Sequence, residues 1–176
     1  SIALVGQTLR EWTTDATYSI YPICVCSDAE ISKKFIHNED DTSQFDVENL
    51  AYPASTNPKE IIFRLNLIEK NHPNKLCVIF STYQSIERVA EAISKSKRTI
   101  DLIICDEAHR TTGVTLAGEN ESHFVKVHDQ KFLPAKKRLY MTATPKIYGD
   151  NAKKTAETHS VKLCSMDDPG LYGEEV

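Results

Sequence analysis

The sequence predicts an α/β fold, a parallel β-sheet flanked by helices, and three observations carry that expectation. Leu102 to Cys105 is a short, continuous apolar run, the pattern of a central parallel strand buried on both faces rather than on one, and Leu76 to Phe80 reads as a second buried strand. Helix-start signals precede and separate these runs, Asn57-Pro58-Lys59-Glu60 before Leu76 and Ser81 to Ser85 between the two. Polarity then switches abruptly at Asp106 and Glu107, and in open α/β sheets ligands sit in the crevice beyond the carboxyl ends of the strands.

In chain order, Ile2, Val5, Leu9 and Trp12 recur at helical spacing with Gln7, Arg10 and Glu11 on other faces. Residues 18 to 26 are rich in β-forming residues, with Pro22 near the strand start or on an edge. Residues 27 to 49 form a polar, acidic stretch, expected as a solvated loop or mobile insertion with no binding role. A helix follows, with Asn57 as N-cap, Pro58 at the first helical position and Glu60 at the third. Its buried stripe is Ile61, Leu65 and Ile68, and it ends near Asn71-His72-Pro73. After the strand Leu76 to Phe80, Ser81 to Ser85 cap another helix whose inward residues are Ile86, Val89, Ala90 and Ile93. Beyond the acidic pair, Phe124, Val125, Val127, Phe132 and Leu133 supply further core. A strand runs from Arg138 to Met141, and a short one from Val161 to Cys164. Asp167-Asp168-Pro169-Gly170 is a turn signal.

Composition bounds the function classes. With 176 residues the chain suits one domain with an adequate core, and 26% charged with 40% hydrophobic residues is ordinary for a globular protein. The apolar runs are too short to span a membrane, and Arg10, Glu11 and Asp15 interrupt any signal-peptide core. Five cysteines without a C-x-x-C read as reduced core thiols in a cytoplasmic protein. The net charge of −4 does not advertise nucleic-acid binding, but a basic track needs no basic domain. The histidines show no metal-ligand spacing and are expected at the surface; Asp129-Gln130-Lys131 alone is a weak nuclease signal.

The chemistry concentrates at the end of the apolar run Leu102 to Cys105. Mg²⁺ takes one or two carboxylates plus substrate phosphates, so Asp106 could hold it while Glu107 polarises a water. The bland alternative is an acidic turn after a core strand. Asp106-Glu107-Ala108-His109 resembles the DEAH box of superfamily 2 helicases and translocases, and Arg138-Leu-Tyr-Met-Thr-Ala-Thr-Pro145 resembles their motif III, in the same order along the chain. Residues 1 to 12 resemble motif Ia, with Ser1 and Gln7 as candidate nucleic-acid contacts. Ser81 to Ser85 resemble motif Ib, with Thr82, Gln84 and Ser85 as candidate backbone contacts; Thr82 as a plain N-cap is the alternative. Arg110-Thr111-Thr112-Gly113 after the box is similar to the motors of type I and type ISP restriction–modification enzymes.

The resemblance implies a RecA-like domain using ATP and Mg²⁺ on double-stranded DNA. Asp106 would hold the metal, Glu107 would activate water, and His109, Thr142 and Thr144 would couple hydrolysis to movement. One part is missing. No G-x-x-x-x-G-K-[ST] occurs: Gly113 and Gly118 have the spacing, but Glu119-Asn120 follow where phosphate needs Lys-Ser/Thr. The expectation is therefore an incomplete RecA-like domain over residues 1 to 145, with the P-loop strand upstream of Ser1. Residues 146 to 176 are expected to lead toward an absent second RecA-like domain. Such a chain would be nearly inactive alone. Two other classes remain open: a catalytically dead RecA-like scaffold or DNA-docking module, and a metal-dependent nuclease using Asp106 and Glu107.

Overall fold

A computed structural model describes residues 2–26, 55–115, 123–159 and 161–174; the expected acidic insertion, 27 to 49, lies outside them. Within the described residues the chain forms two compact units, Ser1–Ser96 and Lys97–Val176.

The first unit is a βαβ arrangement with an added helix at each end. Helix α1 covers Ile2–Asp15, strand β1 Ile20–Val25, helix α2 Pro58–Asn71, strand β2 Leu76–Ser81 and helix α3 Ile86–Lys95, with a short 3-10 turn at Tyr83–Ser85. β1 and β2 pair in parallel, from Ile20 opposite Leu76 to Val25 opposite Ser81. Pro22 lies inside β1, which has no partner on its other side among the described residues, where a missing N–H is tolerated. Helix α2 starts as its sequence dictates: the Asn57 side chain accepts the Lys59 N–H at 3.0 Å and Pro58 fills the first turn. Glu60 binds Arg64 at 2.5 Å, one turn on, and Arg64 is almost fully buried in the α2 stripe with Ile61, Leu65 and Ile68. On α3 all four residues expected to face inward are buried. Leu9 of α1 is buried, and Trp12 meets Phe80 of β2 edge-on with ring centroids 6.0 Å apart. Burying Ile23, Val25 and Ile61 completely contributes about 1.5–3 kcal/mol per side chain.

The second unit holds two strand pairs. β3 covers Ile100–Cys105, β4 Gly113–Thr115, β5 Ala135–Tyr140 and β6 Lys162–Cys164, with helices α4 at Asp150–Thr158 and α5 at Pro169–Tyr172. β3 and β5 are parallel; β4 and β6 are antiparallel. Residues 146 to 176 thus carry two helices and a strand that completes a pairing. Val125, Val127 and Leu133 are buried, as their spacing suggests. Phe124 and Phe132 stay half-buried, each with a cation above its ring, Arg110 at 4.9 Å and Lys126 at 5.7 Å.

One expectation needs correction. The run Leu102 to Cys105 is not buried on both faces, and Leu76 to Phe80 is buried only in part. Leu76 is exposed, and within β2 Phe80 alone is buried. Leu102 and Ile104 of β3 are 48% and 37% exposed, beside Leu139 at 42%. The register explains the grouping: Ile104 pairs with Leu139 and Leu102 with Lys137, so these share one face, while Cys105 and Tyr140 share the other. Among the described residues, Cys105 is buried on its face while Leu102, Ile104 and Leu139 stay exposed on the other.

Candidate nucleotide-hydrolysis site

The acidic pair lies at the carboxyl tip of β3, held there by hydrogen bonds that continue the ladder past the strand ends. Met141 N–H donates to the Cys105 carbonyl at 2.9 Å, and Ala108 N–H donates to the Met141 carbonyl at 2.9 Å. The turn is sharp. Glu107 has φ 51° and ψ 46°, the left-handed region, which costs a residue with a Cβ about 1–2 kcal/mol. The Asp106 carboxylate offsets part of that cost by accepting the Glu107 N–H at 2.9 Å. Ala108–Thr111 then form a 3-10 turn, closed by the Thr111 hydroxyl on the Ala108 carbonyl at 2.7 Å and the Thr112 hydroxyl on the His109 carbonyl at 2.7 Å. Asp106 and Glu107 are exposed, while Ala108 is fully buried beneath them.

His109 points back toward the turn that follows β5. Its Nδ1 lies 2.9 Å from Thr142 Oγ1, 3.5 Å from Thr144 Oγ1 and 3.3 Å from Glu107 Oε2. A carboxylate facing a bare Nδ1 would set lone pair against lone pair, so Nδ1 carries a hydrogen and donates into this cluster. Thr142 Oγ1 also accepts the Thr144 N–H at 3.2 Å, which folds the Thr-Ala-Thr turn around the histidine. Asp106, Glu107, His109, Thr142 and Thr144 therefore form one constellation.

The other expected site residues lie in the first unit. Ser1 is outside the described residues. Gln7 is exposed and donates to Glu11 at 2.8 Å. Thr82 sits at the N-cap position without capping a backbone N–H; its hydroxyl donates to Ser85 Oγ at 3.2 Å. Ser85 is buried, whereas Gln84 is exposed.

The donor set suits Mg²⁺: two solvent-facing carboxylates on adjacent residues, the small number that ion takes from protein beside phosphate oxygens. Among the described residues no group of three or more His, Cys, Asp or Glu could enclose a metal. Asp129 is committed to a turn, accepting the Lys131 N–H at 2.7 Å, and Gln130 bonds the Ala135 backbone. The Asp-x-Lys run is thereby given a structural role.

Sequence reasoning missed a second cluster behind the constellation and placed His128 at the surface. His128 is half-buried. Its Nδ1 meets Tyr140 Oη at 2.8 Å and its Nε2 meets the Thr111 carbonyl at 3.3 Å, while Thr111 Oγ1 meets Tyr172 Oη at 3.0 Å. Burial pushes the Tyr140 phenol well above its ordinary range and Tyr172 up to about 12, so both keep their protons at neutral pH. No periodicity or motif signals this cluster.

The protein family described as type III restriction enzyme, res subunit, matches residues 4–147. The chain belongs to that family. A solved structure of a nuclease-deletion mutant of the type ISP restriction–modification enzyme LlaGI, in complex with a DNA substrate mimic, is similar at 38% identity and a TM-score of 0.71. The similarity covers 99% of this chain and 12% of that one, so the chain spans about an eighth of the length of that relative. Nothing matches among curated proteins. The res-subunit family is helicase-like, and the match supports the superfamily 2 assignment and the RecA-like fold class of parallel strands flanked by helices. No described helix is long and apolar enough to cross a membrane.

Proposed function

We propose that this chain is the first RecA-like portion of an ATP-dependent DNA translocase or helicase motor in a cytoplasmic restriction–modification enzyme. The observation that carries the proposal is the 2.9 Å contact between His109 and Thr142, which joins the acidic turn to the Thr-Ala-Thr turn. Asp106 would hold Mg²⁺, which would supply charge neutralisation on the phosphates. Glu107, exposed at the lip of β3, accepts the proton of the attacking water. His109 sits between Glu107 and the hydroxyls of Thr142 and Thr144, so a change at the carboxylate reaches the strand behind it. Gln7, Thr82 and Gln84, with Ser1, track a DNA backbone; Ser85 supports Thr82 from below. The P-loop and the second RecA-like domain come from other parts of the same polypeptide, so the 176-residue chain alone is nearly inactive.

The test is Glu107→Gln in the intact enzyme. General-base loss slows turnover by roughly 10²–10⁴-fold while ATP binding is kept. Unchanged turnover removes Glu107 from the role. DNA-stimulated hydrolysis by the isolated chain, abolished by the same substitution, overturns the divided-site reading. Normal ATP binding with no hydrolysis in the unsubstituted enzyme favours the scaffold, and Mg²⁺-dependent cleavage without ATP favours the nuclease.

A further inference from the structure

We propose that Thr111, His128, Tyr140 and Tyr172 are positioning residues that set where His109 stands relative to Thr142, and that through Tyr172 they tie the acidic turn to the C-terminal helix α5. The proposal rests on the motor reading above for its consequence in turnover, but its geometry stands independently of that reading.

The polarity of these bonds follows from their partners. A backbone carbonyl only accepts, so His128 Nε2 carries the hydrogen that meets Thr111 O. In the neutral imidazole Nδ1 then presents a lone pair, and Tyr140 donates its hydroxyl to it. Thr111 has a single hydroxyl hydrogen, given to the Ala108 carbonyl at 2.7 Å, so Tyr172 must be the donor in its contact with Thr111 Oγ1. The bonds close a ring. Ala108 N–H binds Met141, whose neighbour Tyr140 binds His128; His128 binds Thr111, and Thr111 returns to Ala108. His109 lies inside that ring's span, with the backbone on both sides of it fixed. Three aromatic rings fill the remaining space: His128 stands 5.2 Å from Tyr140 and 4.8 Å from Tyr172, with the tyrosines 4.9 Å apart. Thr111 and Ala108 are fully buried, so water cannot replace the bonds they make.

The consequence is directional. The ring anchors the backbone that carries His109, while leaving Asp106 and Glu107 facing solution. Loss of a donor in the ring should shift His109, and with it the 3.3 Å contact to Glu107, without removing either carboxylate. Tyr172 joins the ring at Thr111 from the C-terminal segment, so a displacement of α5 is felt at His109 through two hydrogen bonds.

The test has two arms. In the 176-residue chain, long-range ¹H–¹⁵N correlation reads the ring nitrogens of His109 and His128. The parent should show His128 hydrogenated at Nε2 with Nδ1 as acceptor. Tyr172→Phe and Tyr140→Phe, which keep the rings and remove one hydroxyl each, should move the His109 Nδ1 resonance while the chain stays folded; His128→Ala should move it further, and His128→Gln should restore part of the shift by replacing the Nε2 donor. If His109 is unmoved in folded variants that merely melt earlier, the cluster is a fold brace and the proposal is overturned. In the intact enzyme, Tyr172→Phe should lower kcat for DNA-stimulated ATP hydrolysis roughly tenfold with KM for ATP within about twofold, the split expected of a group acting on turnover rather than binding. Equal loss in both parameters, or in neither, counts against it. An intact enzyme that hydrolyses no ATP sinks the motor reading alone, and the His109 resonance still decides the positioning role.

Discussion

Thr111→Val gives the sharpest test of how the acidic turn is held. Valine keeps the shape of threonine, so no cavity opens, and the substitution isolates the hydroxyl. That hydroxyl makes two bonds, to Ala108 O at 2.7 Å and from Tyr172 Oη at 3.0 Å, at a residue with no solvent exposure. Tyr172 is half-buried and can turn its hydroxyl toward water, so its loss is one ordinary net hydrogen bond, about 1 kcal/mol. Ala108 is wholly buried, so its carbonyl is left wanting a partner, which costs about 1–2 kcal/mol more. The sum is about 2–3 kcal/mol, or roughly 30- to 150-fold in the unfolding equilibrium. Urea denaturation followed by tyrosine near-UV circular dichroism measures it, with amide exchange at Ala108 and Met141 reading the turn itself. Thr111→Ser is the control: it keeps the hydroxyl and loses one methyl, worth about 1 kcal/mol. A valine variant within about 0.5 kcal/mol of the parent, or more stable than the serine variant, refutes the assignment of these bonds as a principal support of the turn.

Other positions yield independent tests. Arg138 donates to the carbonyls of Val127 and Leu133 and to Gln130, so Arg138→Lys, which cannot reproduce the fork, should raise amide exchange across residues 125 to 135 by about tenfold or more; unchanged exchange counts against the clamp. Asn57→Ala should cost about 1 kcal/mol through loss of the α2 cap, read as a lower midpoint in urea, and Asn57→Asp should recover most of it. Cys24 is raised from an ordinary 9.0 to about 11, chiefly by burial and next by the neighbouring Cys26. A thiol whose folded value exceeds its unfolded one stabilises the fold while protonated, so this contribution is complete below about pH 9 and disappears as pH rises toward 11. Cys24→Ala should flatten that alkaline decline, and iodoacetamide at pH 8 should label Cys24 only after unfolding.

Much of the local structure was legible because the signals act over a few residues. Asn57-Pro58 starts α2, the spacing of Ile86, Val89, Ala90 and Ile93 marks the buried face of α3, and the polarity switch after Cys105 marks a strand end. The burial of the strands was misread. An apolar run such as Leu102 to Cys105 records what the strand can tolerate against both faces, but cover requires other layers, and among the described residues Cys105 is buried while Leu102 and Ile104 stay exposed. Pairing of the acidic box with the Thr-Ala-Thr turn was legible only through resemblance to a family, since nothing in the spacing brings His109 to Thr142.

His128 shows where local reading stops. As one histidine among six, it carries no helical phase, no ligand spacing and no neighbouring charge pattern. Its partners are Thr111 and Tyr140, and the same cluster reaches Tyr172, 61 residues from Thr111. Residue order alone dictated where helices begin, which segments extend, and that two carboxylates follow an apolar strand, because these depend on backbone preferences and near neighbours. The return of β5 beside β3 and of α5 behind the turn decided which hydroxyls and ring nitrogens meet. Such contacts form only after distant segments have closed their loops, and no short stretch of chain contains that information.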